Sequence, residues 1–241
     1  MASTRTNLAD LAARGMVATA ARGPAARERT LPLLPVFGSL LPQAVVQRGS
    51  VVSCRGPAAI SLACAVAAGA SAAGAWVGVV GCTTLGLAAA AELGVSLERM
   101  VAVAEPAASP FTDEQWGEVV ASLIDGFDVV VLGPAAQRVR PGTARRLVAR
   151  LQARGAVLVA VEAPVFGADL LFEVGGTRWQ GLGSGHGIAT GRVVEVTAAG
   201  RRVPQQRHAQ WWLPAPDGQV RVVEVEHQPQ VAPVLPLRRT G

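Results

Sequence analysis

The run Cys54-Arg55-Gly56-Pro57-Ala58-Ala59-Ile60-Ser61-Leu62 sits where a nucleotide-binding chain would hold phosphate. It follows a β-rich stretch, Ser50-Val51-Val52-Ser53, and leads into an Ala-rich, helix-like segment. A working phosphate loop reads G-x-x-x-x-G-K-[ST], because glycine amides wrap the phosphates, a lysine neutralises them and a hydroxyl holds magnesium. Gly56 is present, but no second glycine comes five residues later and no lysine follows. The chain has no lysine at all: its 22 basic residues are all arginine. Surface lysines are replaceable by arginine, but the compact ammonium of a phosphate loop has a specific position to fill. Gly56, Pro57 and Ser61 therefore read as a degenerate loop, and no cofactor is expected.

Other residues offer weaker chemistry. Arg146, Arg150 and Arg154 recur at i, i+4 and i+8 along one helix face, with Arg145 beside them and Arg138 and Arg140 just upstream. They form either a basic ridge for phosphate or an acidic partner, or a solvated face in an Arg-biased chain. Leu147 and Leu151 make the neighbouring apolar stripe that faces the sheet. Trp211 and Trp212 are consecutive, so in a strand one faces inward and the other outward as a partner surface. Gly181-Leu182-Gly183-Ser184-Gly185-His186-Gly187 is glycine-rich enough to cradle an anion, but it lacks a following helix and equally suits a tight connection between strands. His186, His208 and His227 lack ligand spacing. Cys54, Cys64 and Cys82 are odd in number and lie in apolar surroundings, which reads as buried thiols in a reducing compartment.

The elements that position these groups follow from hydrophobic patterning. Half of the 241 residues are apolar and 16% are charged, enough for one α/β domain with a sizeable core. The net charge of +5 favours an acidic partner modestly. The first 20 residues lack the apolar core of a signal peptide. The uncharged stretch 56–91 is broken by glycines at 69, 74, 78, 81 and 86, unlike a membrane span. Short continuous apolar runs predict strands at 50–54, 76–81, 100–104, 128–132 and 156–161, each buried on both faces. Helices are predicted between them at 57–71, 84–93, 113–125 and 141–154, the third N-capped by Thr112 and closed by Gly126, the fourth closed by Gly155. Strands at 170–175, 177–182 and 192–197, linked by Gly-rich turns, then make an antiparallel extension, with a last hairpin from 211–213 to 220–226. Residues 31–49 are an apolar lead-in expected to pack on the first strand. The division is a mobile arm at 1–29, one domain over 30–226 and a mobile tail at 227–241.

The order and wording of these elements resemble the RecA recombinase core. The resemblance rests on Leu31-Pro32 through Gly49-Ser50-Val51-Val52, on Ala91-Glu92-Leu93-Gly94-Val95-Ser96-Leu97-Glu98-Arg99-Met100, on Asp128-Val129-Val130-Val131-Leu132-Gly133, and on the late stretches 168–174 and 191–196. More closely, the chain resembles the actinobacterial ImuA-prime family, RecA-like accessory proteins of damage-induced (SOS) mutagenesis. The matching stretches are 27–32, 48–52, Asp125-Gly126-Phe127-Asp128-Val129-Val130-Val131, 154–159, Arg178-Trp179-Gln180-Gly181-Leu182-Gly183-Ser184-Gly185-His186-Gly187 and 212–218. The fold class implied is α/β: a RecA-like core, a largely parallel sheet with helices on both faces and a C-terminal antiparallel extension.

The departures from RecA decide the functional expectation. Besides the phosphate loop, the position of the catalytic glutamate falls in Gly81-Cys82-Thr83-Thr84, with no carboxylate. Gly133 stands where magnesium needs an oxygen ligand, and Asp128 is at the wrong end of its strand to substitute. Without phosphate cradle, metal ligand and water activator, nothing stabilises a phosphoryl transition state, so neither ATP hydrolysis nor tight ATP binding is expected. Only residues 162–167 stand where RecA inserts a DNA-binding loop. The resemblance implies a cytoplasmic, nucleoid-associated adaptor of translesion synthesis. Its partners would be a catalytically inactive Y-family polymerase homologue (ImuB-like), through it an error-prone replicative-type polymerase, and RecA, with direct DNA contact left open and no membrane. The rival readings are a SulA-like cell-division inhibitor, a degenerate ATPase and a DNA-binding module.

Overall fold

A computed structural model describes residues 29–182, 187–201 and 203–223. The expected arm at 1–29, apart from Arg29, and the expected tail at 227–241 lie outside the described residues, as do residues 224–226 of the expected last strand. Five short apolar runs become the parallel strands β3 (Val51–Arg55), β4 (Val77–Val80), β5 (Met100–Val103), β6 (Val129–Leu132) and β7 (Val157–Val161). The lead-in contributes a separate antiparallel pair, β1 (Thr30–Pro32) with β2 (Val45–Gln47). After β7 come β8 (Leu170–Leu182), β9 (Gly187–Gly200), β10 (Val203–Trp212) and β11 (Arg221–Val222). The nine-stranded sheet runs β11-β10-β9-β8-β3-β7-β6-β4-β5. It is parallel from β8 to β5 and antiparallel from β8 to β11. This is an α/β fold with a largely parallel sheet, helices on both faces and a C-terminal antiparallel extension.

Strand alternation splits the core into two layers, because successive side chains leave the sheet on opposite faces. Val52, Cys54, Val77, Val79, Val129, Val131, Val157 and Val159 face one layer, with α1 (Ala59–Ala72) and α2 (Leu87–Glu92). Val51, Val80, Val130, Leu132, Leu158 and Ala160 face the other, with α3 (Asp113–Gly126) and α4 (Pro141–Arg154). Burial on both faces explains why these runs are continuous rather than alternating.

The ends of the helices follow their sequence signals with one exception. Thr112 caps α3 through a reciprocal bond with Gln115: its Oγ1 accepts from the Gln115 N–H, and the Gln115 side chain accepts from the Thr112 N–H. Gly155 closes α4 in the left-handed conformation, φ 70°, donating to the Leu151 carbonyl. Gly126, expected to end α3, is instead its last residue, and the extended Phe127 is the cap.

The lead-in packs on α1 and on the antiparallel strands, within the same core cluster as Val52 and Cys54 of β3. A Cβ at Gly69 would lie 2.3 Å from the Leu33 carbonyl carbon, so its main chain crosses α1 at that glycine. Phe37 stacks edge-on against Phe172 at 5.0 Å and Trp211 at 4.9 Å. Two further expectations, on the late strands, are corrected. Residues 170–182 form one strand, not two. Gly175 and Gly176 absorb a register shift between Val174 and Thr177, as a bulge does, instead of making a turn. β10 also begins well before Trp211. Among the described residues, no helix is long and apolar enough to cross a membrane.

Candidate functional site

The degenerate loop lies where β3 ends and α1 begins, flanked by the C-terminal end of β7 and by β8. Gly56 has φ 93°, and a Cβ there would sit 2.1 Å from the Val174 carbonyl oxygen, so only glycine lets the loop pass β8. Its N–H donates to the Glu162 carboxylate at 2.6 Å. Glu162 follows β7 directly and holds φ 50°, the only non-glycine with positive φ among the described residues. Its own N–H donates to the Cys54 carbonyl at 3.1 Å, which fixes it against β3. A protein carboxylate thus occupies an amide that a working loop aims at phosphate, and a second anion there would meet like charge.

Ser61, in the first turn of α1, accepts from Arg192 Nη2 at 2.9 Å, so its hydroxyl is engaged by a guanidinium. Arg192, on β9, also donates through Nε to the Leu213 carbonyl at 2.7 Å. It is 9% exposed and lies over the Trp179 ring at 5.0 Å. Burial holds it below the usual arginine range. Pro57 is exposed.

Gly133 and Gly81, at the ends of β6 and β4, are both closely packed. Gly133, just past β6, donates to the Val80 carbonyl at 2.8 Å, and a Cβ on it would lie 2.1 Å from the Gly81 oxygen. A Cβ on Gly81 would in turn lie 2.6 Å from the Trp116 ring. A side chain at Gly133 would displace main chain, and one at Gly81 would displace the Trp116 ring. Asp128 caps the opposite end of β6, accepting from Arg48 at 3.0 Å and from the Trp76 N–H at 3.1 Å. Among the described residues no three His, Cys, Asp or Glu side chains are placed to share a metal ion. Burial raises all three thiols, Cys64 to about 12 and Cys82 to about 11, with Cys54 higher still, so none is a ready thiolate. The link from β7 to β8 is short, with a single 3-10 turn at Pro164–Phe166.

The arginine ridge is drawn into contacts with acids. Arg150 and Arg154 both bond Asp125 of α3, their Nε atoms at 2.8 and 2.9 Å. Arg138 pairs with Glu105 and donates to the Ala135 carbonyl. Arg146 donates to Thr143 Oγ1 at 3.0 Å. Asp113 ties α3 to the start of α4, accepting from the N–H of Arg140, the N-cap residue, and from Thr143 Oγ1, both at 2.7 Å. Arg145 is exposed. These bonds hold Asp113 and Asp125 below the usual carboxylate range: the Arg140 N–H is the main cause for Asp113, the Arg150 hydrogen bond for Asp125. A cavity of about 840 Å³ opens between α3 and α4, lined by Asp113, Glu114 and Glu118 against Arg140, Arg146 and Arg150. Its charge alternates, so it is not a basic trough.

Of the two tryptophans, Trp211 is fully buried and donates to Ser39 Oγ at 3.0 Å. It is therefore core and not a partner surface. Trp212 is half-buried, its ring covering Gly191. His208 Nδ1 lies 3.1 Å from Thr197 Oγ1. Gly183, Ser184, Gly185, His186, Arg202 and His227 lie outside the described residues. The decisive residues that motif reading missed are Glu162, Trp179 and Arg192. Only Glu162 had a local signal, as the first charged residue after the wholly apolar run Val157–Val161.

Residues 39–166 match the protein family described as the MT3502 N-terminal domain. The match covers Gly56, Gly133 and Glu162 and ends before β8. The uncharacterized protein Rv3395c of Mycobacterium tuberculosis is 34% identical over 139 residues, which is 53% of this chain and 65% of that protein. The similarity therefore spans under two thirds of that relative's length.

Proposed function

The chain belongs to the MT3502 N-terminal domain family, and from that premise we propose that it is a non-catalytic, RecA-like adaptor of the ImuA-prime type, serving damage-induced mutagenesis. The observation that carries the reading is the Glu162 carboxylate on the Gly56 amide. A loop whose anion site is filled from within has no room for a triphosphate. The closed packing of Gly133 on Gly81 supports the same conclusion, because it leaves no place for a magnesium ligand. What remains is surface, and the protein acts by contact in the cytoplasm, at the nucleoid when engaged. Its partner is a catalytically inactive Y-family polymerase homologue, which connects it to an error-prone replicative-type polymerase.

Co-expression tests this reading. The expected outcome is stoichiometric co-purification with the polymerase homologue, unchanged by ATP and magnesium. Absence of association, or association that requires hydrolysable ATP, overturns it.

A further inference from the structure

A second cavity, of about 230 Å³, lies at the amino-terminal ends of β3 and β8, at the opposite end of β3 from the degenerate loop. Leu41, Val45, Gln47, Ser50, Asp169 and Leu170 form most of its wall. Its polar groups are incompletely paired. Ser50 is 2% exposed, and its Oγ has no hydrogen-bond partner among the described residues. Asp169 Oδ2 accepts from the Val51 N–H at 3.0 Å, while Oδ1 accepts no bond among the described residues. No arginine among them is ion-paired with Asp169.

The neighbouring edge of β2 is open as well. The Leu33 N–H bonds the Ala44 carbonyl, and the Arg48 N–H bonds the Arg29 carbonyl. Bonded and non-bonded pairs alternate along an antiparallel ladder. Val45 and Gln47, opposite Pro32 and Thr30, therefore turn their main-chain groups away from β1. Among the described residues β2 has no other strand partner.

These groups define the chemistry of a ligand. Asp169 is the one charged residue of the wall, so an anion is repelled and a cation attracted. Asp169 Oδ1, Ser50 Oγ and the outward carbonyls of Val45 and Gln47 are acceptors, and an ammonium group has three donors and no acceptor. A buried hydroxyl without a partner is costly until a donor or acceptor reaches it. Leu41, Val46 and Leu170 suit methylene groups, and no aromatic side chain of the wall can stack a flat ring. The volume lies below the roughly 300–1,000 Å³ of sites for drug-sized molecules, so the ligand is small.

We propose that this cavity binds an ammonium group carried on a short aliphatic stem. The charged head is held by Asp169 and Ser50, and the stem lies against Leu41, Val46 and Leu170. The chain contains no lysine, so no side chain of its own supplies the ammonium. The inference goes beyond the adaptor reading and does not rest on it.

The test follows the backbone amides of the full, isotope-labelled chain by NMR as n-butylammonium chloride is added. The Val51 and Leu170 amides are expected to shift and saturate at millimolar concentration, with butyrate and n-butanol binding about tenfold more weakly. Asp169→Asn keeps an acceptor for the Val51 N–H but removes the charge, and should weaken binding about tenfold. Ser50→Ala should weaken it about threefold. The same change should leave the melting temperature of the free chain unchanged or raised, because the hydroxyl has no partner to lose. Glu173→Gln, which alters an exposed carboxylate outside the cavity, should change nothing. An N-acetyl-lysine amide separates the two sources of the group: binding as tight as that of n-butylammonium assigns the site to a lysine side chain of another protein, and much weaker binding assigns it to a free amine. Shifts that stay linear with concentration, an equal response to butyrate, or indifference to Asp169→Asn overturn the proposal. So does a Ser50→Ala chain that melts several degrees lower, since the hydroxyl would then have a partner. If Asp169→Asn does not fold, the butyrate comparison and Ser50→Ala still decide.

Discussion

The Glu162 carboxylate and the Gly56 amide, 106 residues apart in sequence, meet at 2.6 Å. The first expectation follows from this contact. MgATP at millimolar concentration should leave the melting temperature of the natural chain unchanged, and a rise on scanning calorimetry would refute the occupied-loop reading. Glu162→Gly removes the carboxylate but suits the backbone, which holds φ 50° at this position. Loss of the exposed hydrogen bond and relief of strain should offset to within about 1 kcal/mol. With the Gly56 amide uncovered, that variant should show phosphate-dependent stabilisation that the natural chain lacks.

Gly133 tests whether the magnesium position is closed by packing. Gly133→Ala drives a methyl group to 2.1 Å from the Gly81 oxygen, main chain against main chain. Urea unfolding should show a loss of more than about 3 kcal/mol, because overpacking a fixed backbone has no cheap relaxation. Gly142→Ala is the control. Its Cβ meets nothing within 4 Å, and Gly142 lies inside α4, so the change should stabilise by about 0.5–1 kcal/mol. A tolerated Gly133→Ala would undo the packing argument.

Asp113 and Asp125 set the acid limb of stability. Both bind protons less readily in the folded chain than an ordinary aspartate, whose carboxyl titrates at 3.8. Their stabilising contribution is therefore complete above that value and is lost as pH falls through their lower folded values. Chemical denaturation from pH 6 downward should show the natural chain weakening below about pH 4, with Asp113→Asn and Asp125→Asn flattening that slope. High salt should shrink the Asp125 effect, since Arg150 and Arg154 are well exposed. A slope identical in both variants would show that these contacts are incidental.

The thiols give a fourth expectation. With Cys64 pushed up to about 12, Cys82 to about 11 and Cys54 beyond both, a colorimetric disulfide reagent at pH 8 should find no fast thiol in the native chain. All three cysteines should react once the chain is unfolded. Cys82, the least buried, should react first as pH is raised. Rapid native labelling of any one would show that its environment is wrongly described.

Much of the parallel core was legible because its strands are buried on both faces, which leaves unbroken runs such as Val157–Val161. Thr112 and Gly155 were legible because caps have fixed local chemistry. The rest depended on contacts between residues distant in sequence. Gly175-Gly176 looks like a turn to local reasoning, and only pairing with β9 shows that it is a shift in register. The ridge of Arg146, Arg150 and Arg154 looks basic until Asp125 of the neighbouring helix is brought beside it. Glu162, the residue that most constrains the loop, belongs to no motif, and its role exists only because β7 lies next to β3.

That strand order bears on how the chain is made. β3, inside the parallel region, pairs only with β7 and β8, which leave the ribosome roughly a hundred residues later. Until then its apolar run is an orphaned template, and pairings this remote are slow to form. Refolding from denaturant should accordingly lose yield as protein concentration rises. A folding chaperone supplied during synthesis should raise the soluble fraction more than one added afterwards.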